Sequence, residues 1–368
     1  MSLTITASVA RDNAAEFSVE RLELEDPRPD EMLVRYIAAG LCHTDLEAAR
    51  GTVPTPRPVV LGHEGAGEVV AVGSAVSGFR PGDRVLLSLD SCGLCGNCLA
   101  GQPAYCVRHI PLNFHAVRSD GSVGLRDADG EPVHDHFFGQ SSHATYGLVH
   151  PRGAVKVDPE LPLEVLAPMG CGVITGAGAV LNSLRVQAGS TVAVFGAGAV
   201  GLSALMAAEV AGAARIIVVD RNVERLSLAT DLGATDTIDA DVEDPAAAIR
   251  ELTRGRGVDF AVESTGAVQV MNTAVEVLAP LGSAAILGVT APDAAMRANV
   301  FELLKGRTVT GSVMGHQAPA VLIPRLLNLF QAGRFPIGRM IRTYPLAQIN
   351  SAVADVRAGK TVKAVLTP

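Results

Sequence analysis

The chain has 368 residues, 48% of them apolar, a formal net charge of −8 and no cluster of lysines or arginines. That length predicts two domains rather than one core, and the apolar content excludes a disordered chain. The acidic balance excludes nucleic acid and anionic membrane as partners.

Residues 1–6 hold neither a basic segment nor an apolar core with a cleavage site, so no secretory leader is expected and the predicted location is cytoplasmic. Up to about residue 170 the chain alternates β-branched runs with turn formers. Strands are predicted over Met32 to Ala38, Glu68 to Val72 and Arg84 to Leu87, the last entered through Arg80-Pro81-Gly82-Asp83. This texture predicts an irregular, mostly antiparallel β domain.

Within that region Cys92, Cys95, Cys98 and Cys106 are separated by two, two and seven residues, in a loop punctuated by Gly93, Gly96 and Gly101. Four thiolates so spaced close around one tetrahedral Zn²⁺. With sulfur at every position no water is left to activate, so the ion is structural. An iron–sulfur cluster also takes four thiolates and is the alternative. The other two of the six cysteines, Cys42 and Cys171, lie far apart with His63-Glu64 between them. Two thiolates and one imidazole have the composition of a catalytic zinc site with one open position. Spacing alone leaves this grouping open, because a histidine in an apolar stretch also serves as a structural residue.

From about residue 172 strands alternate with helices, which predicts a doubly wound parallel sheet. The strands are Thr191 to Phe195, Ile216 to Val219, Val258 to Val262 and Ala284 to Leu287. The helices are Ala199 to Ala211, Glu224 to Leu232 behind an Asn222 cap, and Val268 to Leu278. The uncharged stretches on either side of Arg185 match the roughly 20 residues of a bilayer span, but glycines and Asn182, Gln187 and Thr191 interrupt them, so no span is expected.

Gly196-Ala197-Gly198-Ala199-Val200-Gly201 joins the first strand to its helix. Gly196 permits the tight turn, Gly198 lets backbone approach a pyrophosphate, and Gly201 lets helix and strand close up. Helix N–H groups and the helix dipole then face the phosphates. Asp220 ends the second strand, where an acid accepts from the adenosine ribose 2′-OH and repels a 2′-phosphate. NAD is therefore expected over NADP, a preference that the adjacent Arg221 softens. The tail beyond residue 313 offers one amphipathic helix (Ala318 to Gln331) and a strand near Thr361 to Leu366; pattern alone does not place it.

Gly62-His63-Glu64-Gly65-Ala66-Gly67-Glu68-Val69-Val70, preceded by Cys42-His43-Thr44-Asp45 and followed by Gly170-Cys171-Gly172, resembles the medium-chain zinc alcohol dehydrogenases. The cysteine lobe and glycine turn fall in that family's order, and the likeness spans nearly the whole chain. Phe137-Phe138-Gly139-Gln140-Ser141-Ser142 and the run Met169 to Gly178 look most like the bacterial aryl-alcohol dehydrogenases and their allylic relatives. The resemblance implies a GroES-like β domain with a structural-zinc lobe, residues 1–171 and 314–368, and a Rossmann domain, residues 172–313. It implies two zinc ions per chain, one held by Cys42, His63 and Cys171 with Glu64 in reach, and a primary alcohol substrate, benzylic or allylic.

By the same resemblance Asp45 holds the zinc-binding histidine, though it also reads as a helix cap. Thr44 takes the alcohol proton. The histidine that ends the mammalian relay is replaced by Glu47, so the proton leaves through Glu47, His43 or water. His43 and Lys363 match groups at the cofactor pyrophosphate, Arg225 one near the adenosine ribose, and Thr175 and Val200 residues at the nicotinamide. Phe137 and Phe138 match the substrate-pocket wall. A homodimer is expected, with a tetramer as the alternative. Rival readings are a glutathione-dependent formaldehyde dehydrogenase, which shares the Cys-His-Thr-Asp start, and a non-catalytic NAD(P)-binding structural protein, against which the complete ligand set speaks.

Overall fold

The computed structural model describes every residue except Met1, Ala15 and Pro292. The chain forms two compact units, Met1–Cys171 with Ala318–Pro324 and Ile337–Pro368, and Gly172–Gln317 with Arg325–Pro336. Residues 314–317 and 325–336 thus group with the second unit, whereas the sequence had put the whole tail with the first. The division runs through one helix, Pro319–Gln331, at its internal Pro324. An amphipathic pattern shows which face of a helix is buried, not which unit buries each half.

The first unit is built on the strand Met32–Gly40, which buries Met32, Val34, Tyr36 and Ala38 at every second position. It pairs antiparallel with Gly65–Val72, with Tyr146–Val149 and with Lys363–Thr367, the last strand of the chain. Ile341–Pro345 adds to that last strand in parallel. A second sheet carries the antiparallel pair Leu3–Ala10 and Ser18–Leu24. One apolar core joins Ile5, Leu22, Val34, Val60, Val69, Val85 and Leu148. The pairing of Lys363–Thr367 with Met32–Gly40 gives the C-terminus a place that its own pattern could not. It also brings Lys363 beside Leu41 and the start of the helix His43–Arg50.

The second unit holds six parallel strands in the order Asp236–Asp239, Arg215–Asp220, Thr191–Phe195, Val258–Glu263, Leu278–Ile286, Thr308–Gly311. Central strands such as Thr191–Phe195 are continuous apolar runs because helices cover both faces. Chain order reverses between Thr191–Phe195 and Val258–Glu263, which puts a crevice at the carboxyl ends of those two strands. Asn222 caps the helix Val223–Asp231 through the amides of Glu224 and Arg225. The expected strand Ala284 to Leu287 is longer, Leu278–Ile286, and absorbs the end of the preceding helix. No single helix among the described residues is long and apolar enough to cross a membrane; one bent pair, Leu163–Gly170 with Gly172–Ser183, has the length and composition but turns by 60°.

Candidate active site and dinucleotide turn

Cys42 is the N-cap of the helix His43–Arg50, and Asp45 sits at its third position. The Cys42 amide donates to Asp45 Oδ2 at 2.9 Å, so Asp45 does cap the helix. Its other oxygen accepts from the Gly62 amide at 3.1 Å and lies 2.7 Å from His63 Nδ1. Asp45 and His63 are both wholly buried. With Nδ1–H committed to the carboxylate, Nε2 is the nitrogen left for a ligand, and it has no hydrogen-bond partner among the described residues. Cys42, His63, Glu64 and Cys171 each present a donor atom within 4.8 Å of the others.

The electrostatics of this group fit a divalent cation. Hydrogen bonding from Cys171 holds the Cys42 thiol well below its ordinary range, and the same contact, with burial, pushes Cys171 well above. Burial disfavours a His63 imidazolium, but the Asp45 and Cys42 charges outweigh it and raise the group. Two sulfurs and an imidazole thus share protons that a metal displaces. Glu64 is pushed up to about 7 by burial, against the pull of Lys363, whose Nζ lies 2.6 Å from its Oε2. Two thiolates would balance one divalent cation, and Glu64 and Lys363 pair with each other.

Three supports around this cluster had no signal in the sequence. Gly40 carries no side chain because a Cβ there would stand 1.9 Å from Glu64 Oε2. Gln140 accepts from the Gly65 amide at 2.8 Å and donates to the His63 and Ser88 carbonyls at 3.1 and 3.0 Å, clamping the backbone around the imidazole. Ser88 Oγ donates to the Gly170 carbonyl at 2.7 Å, just before Cys171.

In the cysteine lobe, Cys92, Cys95, Cys98 and Cys106 also bring their sulfurs within 4.8 Å of one another. Amides of Cys92, Cys95 and Arg108 point at Cys106 or Cys92 sulfur at 3.3–3.4 Å, as they do toward thiolates. Backbone N–H groups pull Cys95 down to about 6, while desolvation pushes Cys98 up to about 12. The set holds sulfur alone and offers a metal no open position.

Residues 28–159 match the alcohol dehydrogenase GroES-like domain and residues 199–331 the zinc-binding dehydrogenase domain. A geraniol dehydrogenase of Castellaniella defragrans is 43% identical over 367 residues, 99% of this chain and 98% of that protein. The chain belongs to the medium-chain zinc-dependent alcohol dehydrogenases. Among solved structures, a zinc-binding-domain alcohol dehydrogenase from Burkholderia ambifaria superposes with a TM-score of 0.97 at 48% identity, covering 100% of this chain and 99% of that one. Benzyl alcohol dehydrogenase from Acinetobacter calcoaceticus does so at 0.96 and 43%, covering 99% of each.

In this dehydrogenase Phe138 stacks on the His63 ring at 4.5 Å and 27°, and Phe137 meets it edge-on at 5.8 Å. Phe114 crosses both phenylalanines at 5.0–6.0 Å, and His109 meets Phe138 edge-on. Both phenylalanines are buried; Phe138 holds a left-handed backbone, φ 52°, to reach its place. Thr44 is half-buried on the first turn of its helix. His43 Nε2 lies 3.6 Å from Glu47 Oε1, and Arg50 holds that same oxygen at 2.9 Å. Lys363, which the resemblance puts at the cofactor phosphates, is 3% exposed and bonded to Glu64 and the Leu41 carbonyl, since a buried ammonium needs an anion beside it.

In the second unit Gly196 is left-handed at φ 94°, and a Cβ on Gly201 would fall 1.7 Å from the Gly196 carbonyl, whereas Gly198 faces open space. Asp220 accepts from the amides of Ala197 at 2.6 Å, Arg221 at 2.8 Å and Asn222 at 2.9 Å, so it ties the glycine turn to the second strand. Arg221 Nε is held by Asp241 at 2.6 Å. Arg225 lies in the first turn of the helix behind Asp220; Thr175 is buried 3.9 Å from the Met314 sulfur, and Val200 is half-buried next to Gly201.

Proposed function

We propose that this alcohol dehydrogenase interconverts a primary benzylic or allylic alcohol and its aldehyde, with NAD as hydride partner and two zinc ions per chain. The observation that carries the reading is the aromatic wall on His63. A substrate held beside that imidazole meets the rings of Phe137 and Phe138, which suit a flat or unsaturated chain. The 43% identities to a geraniol and a benzyl alcohol dehydrogenase support the same class.

Cys42, His63 and Cys171 hold the catalytic ion, with Glu64 in reach, and the four lobe cysteines hold the other. When bound, the catalytic zinc supplies a Lewis acid that lowers the pKa of an alcohol. Asp45 fixes the His63 tautomer. Thr44 orients the alcohol hydroxyl and takes its proton, and His43 and Glu47 carry it outward. Gly196, Gly198 and Gly201 cradle the pyrophosphate, Asp220 and Arg225 bind the adenosine ribose, and Thr175 and Val200 pack on the nicotinamide. Arg221 stays paired with Asp241, which supports NAD over NADP. Six unpaired thiols suit a reducing, cytoplasmic compartment. A homodimer is supported by the edge strand Thr308–Gly311 beside the exposed Val300, Phe301 and Leu304.

Steady-state rates for benzyl alcohol, geraniol, ethanol and S-hydroxymethylglutathione, each with NAD and NADP, test this. Expected is a kcat/KM for the first two about 100-fold above ethanol, and loss of turnover in Cys42→Ala with NADH binding kept. Preference for ethanol or the glutathione adduct, or turnover by Cys42→Ala, overturns it.

A further inference from the structure

The carboxyl end of Val258–Glu263 lies at the chain reversal of the parallel sheet, next to the end of Thr191–Phe195 that leads into the glycine turn. Its last residue, Glu263, is a fully buried acid with no part in the chemistry above. One carboxylate oxygen accepts from the Thr265 amide at 2.6 Å, the Thr265 hydroxyl at 2.5 Å and the Gly266 amide at 3.1 Å. The other faces the backbone of Gly288, 2.9 Å from where a Cβ there would stand. Burial raises the group and these donors pull it down. The acid therefore curls residues 264–266 into a fixed turn.

That turn is packed on the glycine turn. Ser264 Oγ donates to the carbonyls of Phe195 at 2.8 Å and Gly196 at 3.3 Å. A Cβ on Gly196 would stand 2.9 Å from both Ser264 Oγ and Thr265 Cγ2. Gly266 is left-handed at φ 78°, and a Cβ on it would fall 2.4 Å from the Val289 carbonyl, so the 264–266 turn is wedged on its far side too. The Gly196 turn thus has Asp220 holding one flank, through Ala197, and Ser264 the other, with Glu263 behind Ser264.

We propose that Glu263 is a positioning residue of the dinucleotide site, whose buried carboxylate sets cofactor affinity by fixing Ser264–Thr265–Gly266 against Gly196. The inference rests on the reading that a nicotinamide dinucleotide binds the Gly196 turn. Because phosphate recognition there uses backbone amides, a displacement of a few tenths of an ångström weakens every bond at once. The ligands proposed for both metals belong to the first unit and Glu263 to the second, so zinc content reports any damage beyond the dinucleotide site.

The test is calorimetric titration of the full chain with NADH, alongside KM for NAD, kcat, zinc content and melting temperature, for wild type, Glu263→Gln, Glu263→Ala and Ser264→Ala. Glutamine keeps one accepting oxygen, so affinity should fall in the order wild type, Gln, Ala, with the alanine variant at least tenfold weaker. KM for NAD should rise with it, kcat changing far less and zinc staying at the wild-type level. Ser264→Ala, which spares the buried acid, should weaken NADH binding severalfold even if the Glu263 variants fail to fold. Unchanged NADH affinity in the folded variants overturns the inference, as does a fall in which kcat and zinc drop in step with affinity. Wild-type protein that binds neither NADH nor NADPH overturns the dinucleotide reading itself.

Discussion

Replacing Asp45 with alanine isolates the support of a metal-binding imidazole from the ligands. The carboxylate serves three donors, His63 Nδ1 at 2.7 Å, the Gly62 amide at 3.1 Å and the half-buried Cys42 amide at 2.9 Å. Bonds to the two amides act on the fold, each costing about 1–3 kcal/mol if left unmade. The bond to His63 would act on the metal proposed there, because it fixes the tautomer that leaves Nε2 bare. Loss of such a partner weakens zinc binding about 10- to 100-fold, or roughly 1.4–2.7 kcal/mol at 1.36 kcal/mol per decade. Asp45→Asn keeps an oxygen for His63 and Gly62 but turns an NH₂ toward the Cys42 amide, donor against donor. It should therefore lose stability while keeping most of its metal affinity. Zinc release to a chromophoric chelator measures this, with the untouched cysteine lobe as an internal reference phase. Equal release from wild type and Asp45→Ala, or weaker binding in Asp45→Asn than in Asp45→Ala, would refute the reasoning.

Gln140→Leu should lower the melting temperature and kcat together, since it strands the Gly65 amide and the His63 and Ser88 carbonyls at a cost of about 3–9 kcal/mol; a variant as stable as wild type contradicts the clamp. Asp241→Ala frees the Arg221 guanidinium for a 2′-phosphate, so kcat/KM with NADP should rise about three- to tenfold with NAD unaffected. No gain with NADP would remove Asp241 from cofactor selection. Burial lowers the His136 imidazole, but Asp135 at 2.8 Å and Glu31 at 3.5 Å outweigh it and lift the group to about 9, with Arg118 paired to the same Glu31 at 2.6 Å. A raised histidine stabilises the fold fully below its ordinary pKa of about 6.5 and loses that contribution, about 3 kcal/mol, as pH rises through 9. The difference in melting temperature between wild type and His136→Gln should accordingly shrink from pH 6 to pH 10; a constant difference counts against the network.

Local pattern carried much of this protein. The strand Thr191–Phe195 was legible as an unbroken apolar run, the Asn222 cap as a polar residue before a periodic stretch, and the glycine turn as spacing. All three obey rules that act over a few residues, which a linear reading can apply. The lobe cysteines were legible for the same reason, lying within fifteen positions from Cys92 to Cys106.

What distance along the chain concealed, only tertiary structure decided. Cys42, His63 and Cys171 meet because a helix cap, the entry to the strand Gly65–Val72 and the end of the first unit's long N-terminal segment converge, and no periodicity encodes that. Lys363 finds Glu64 because its strand pairs with Met32–Gly40, a long-range choice invisible in the tail's own pattern. No linear pattern marks Gln140 or Glu263 as a brace, and burial makes them so: away from water, a carboxylate or amide must find partners, and here those partners are the backbones that hold the two sites.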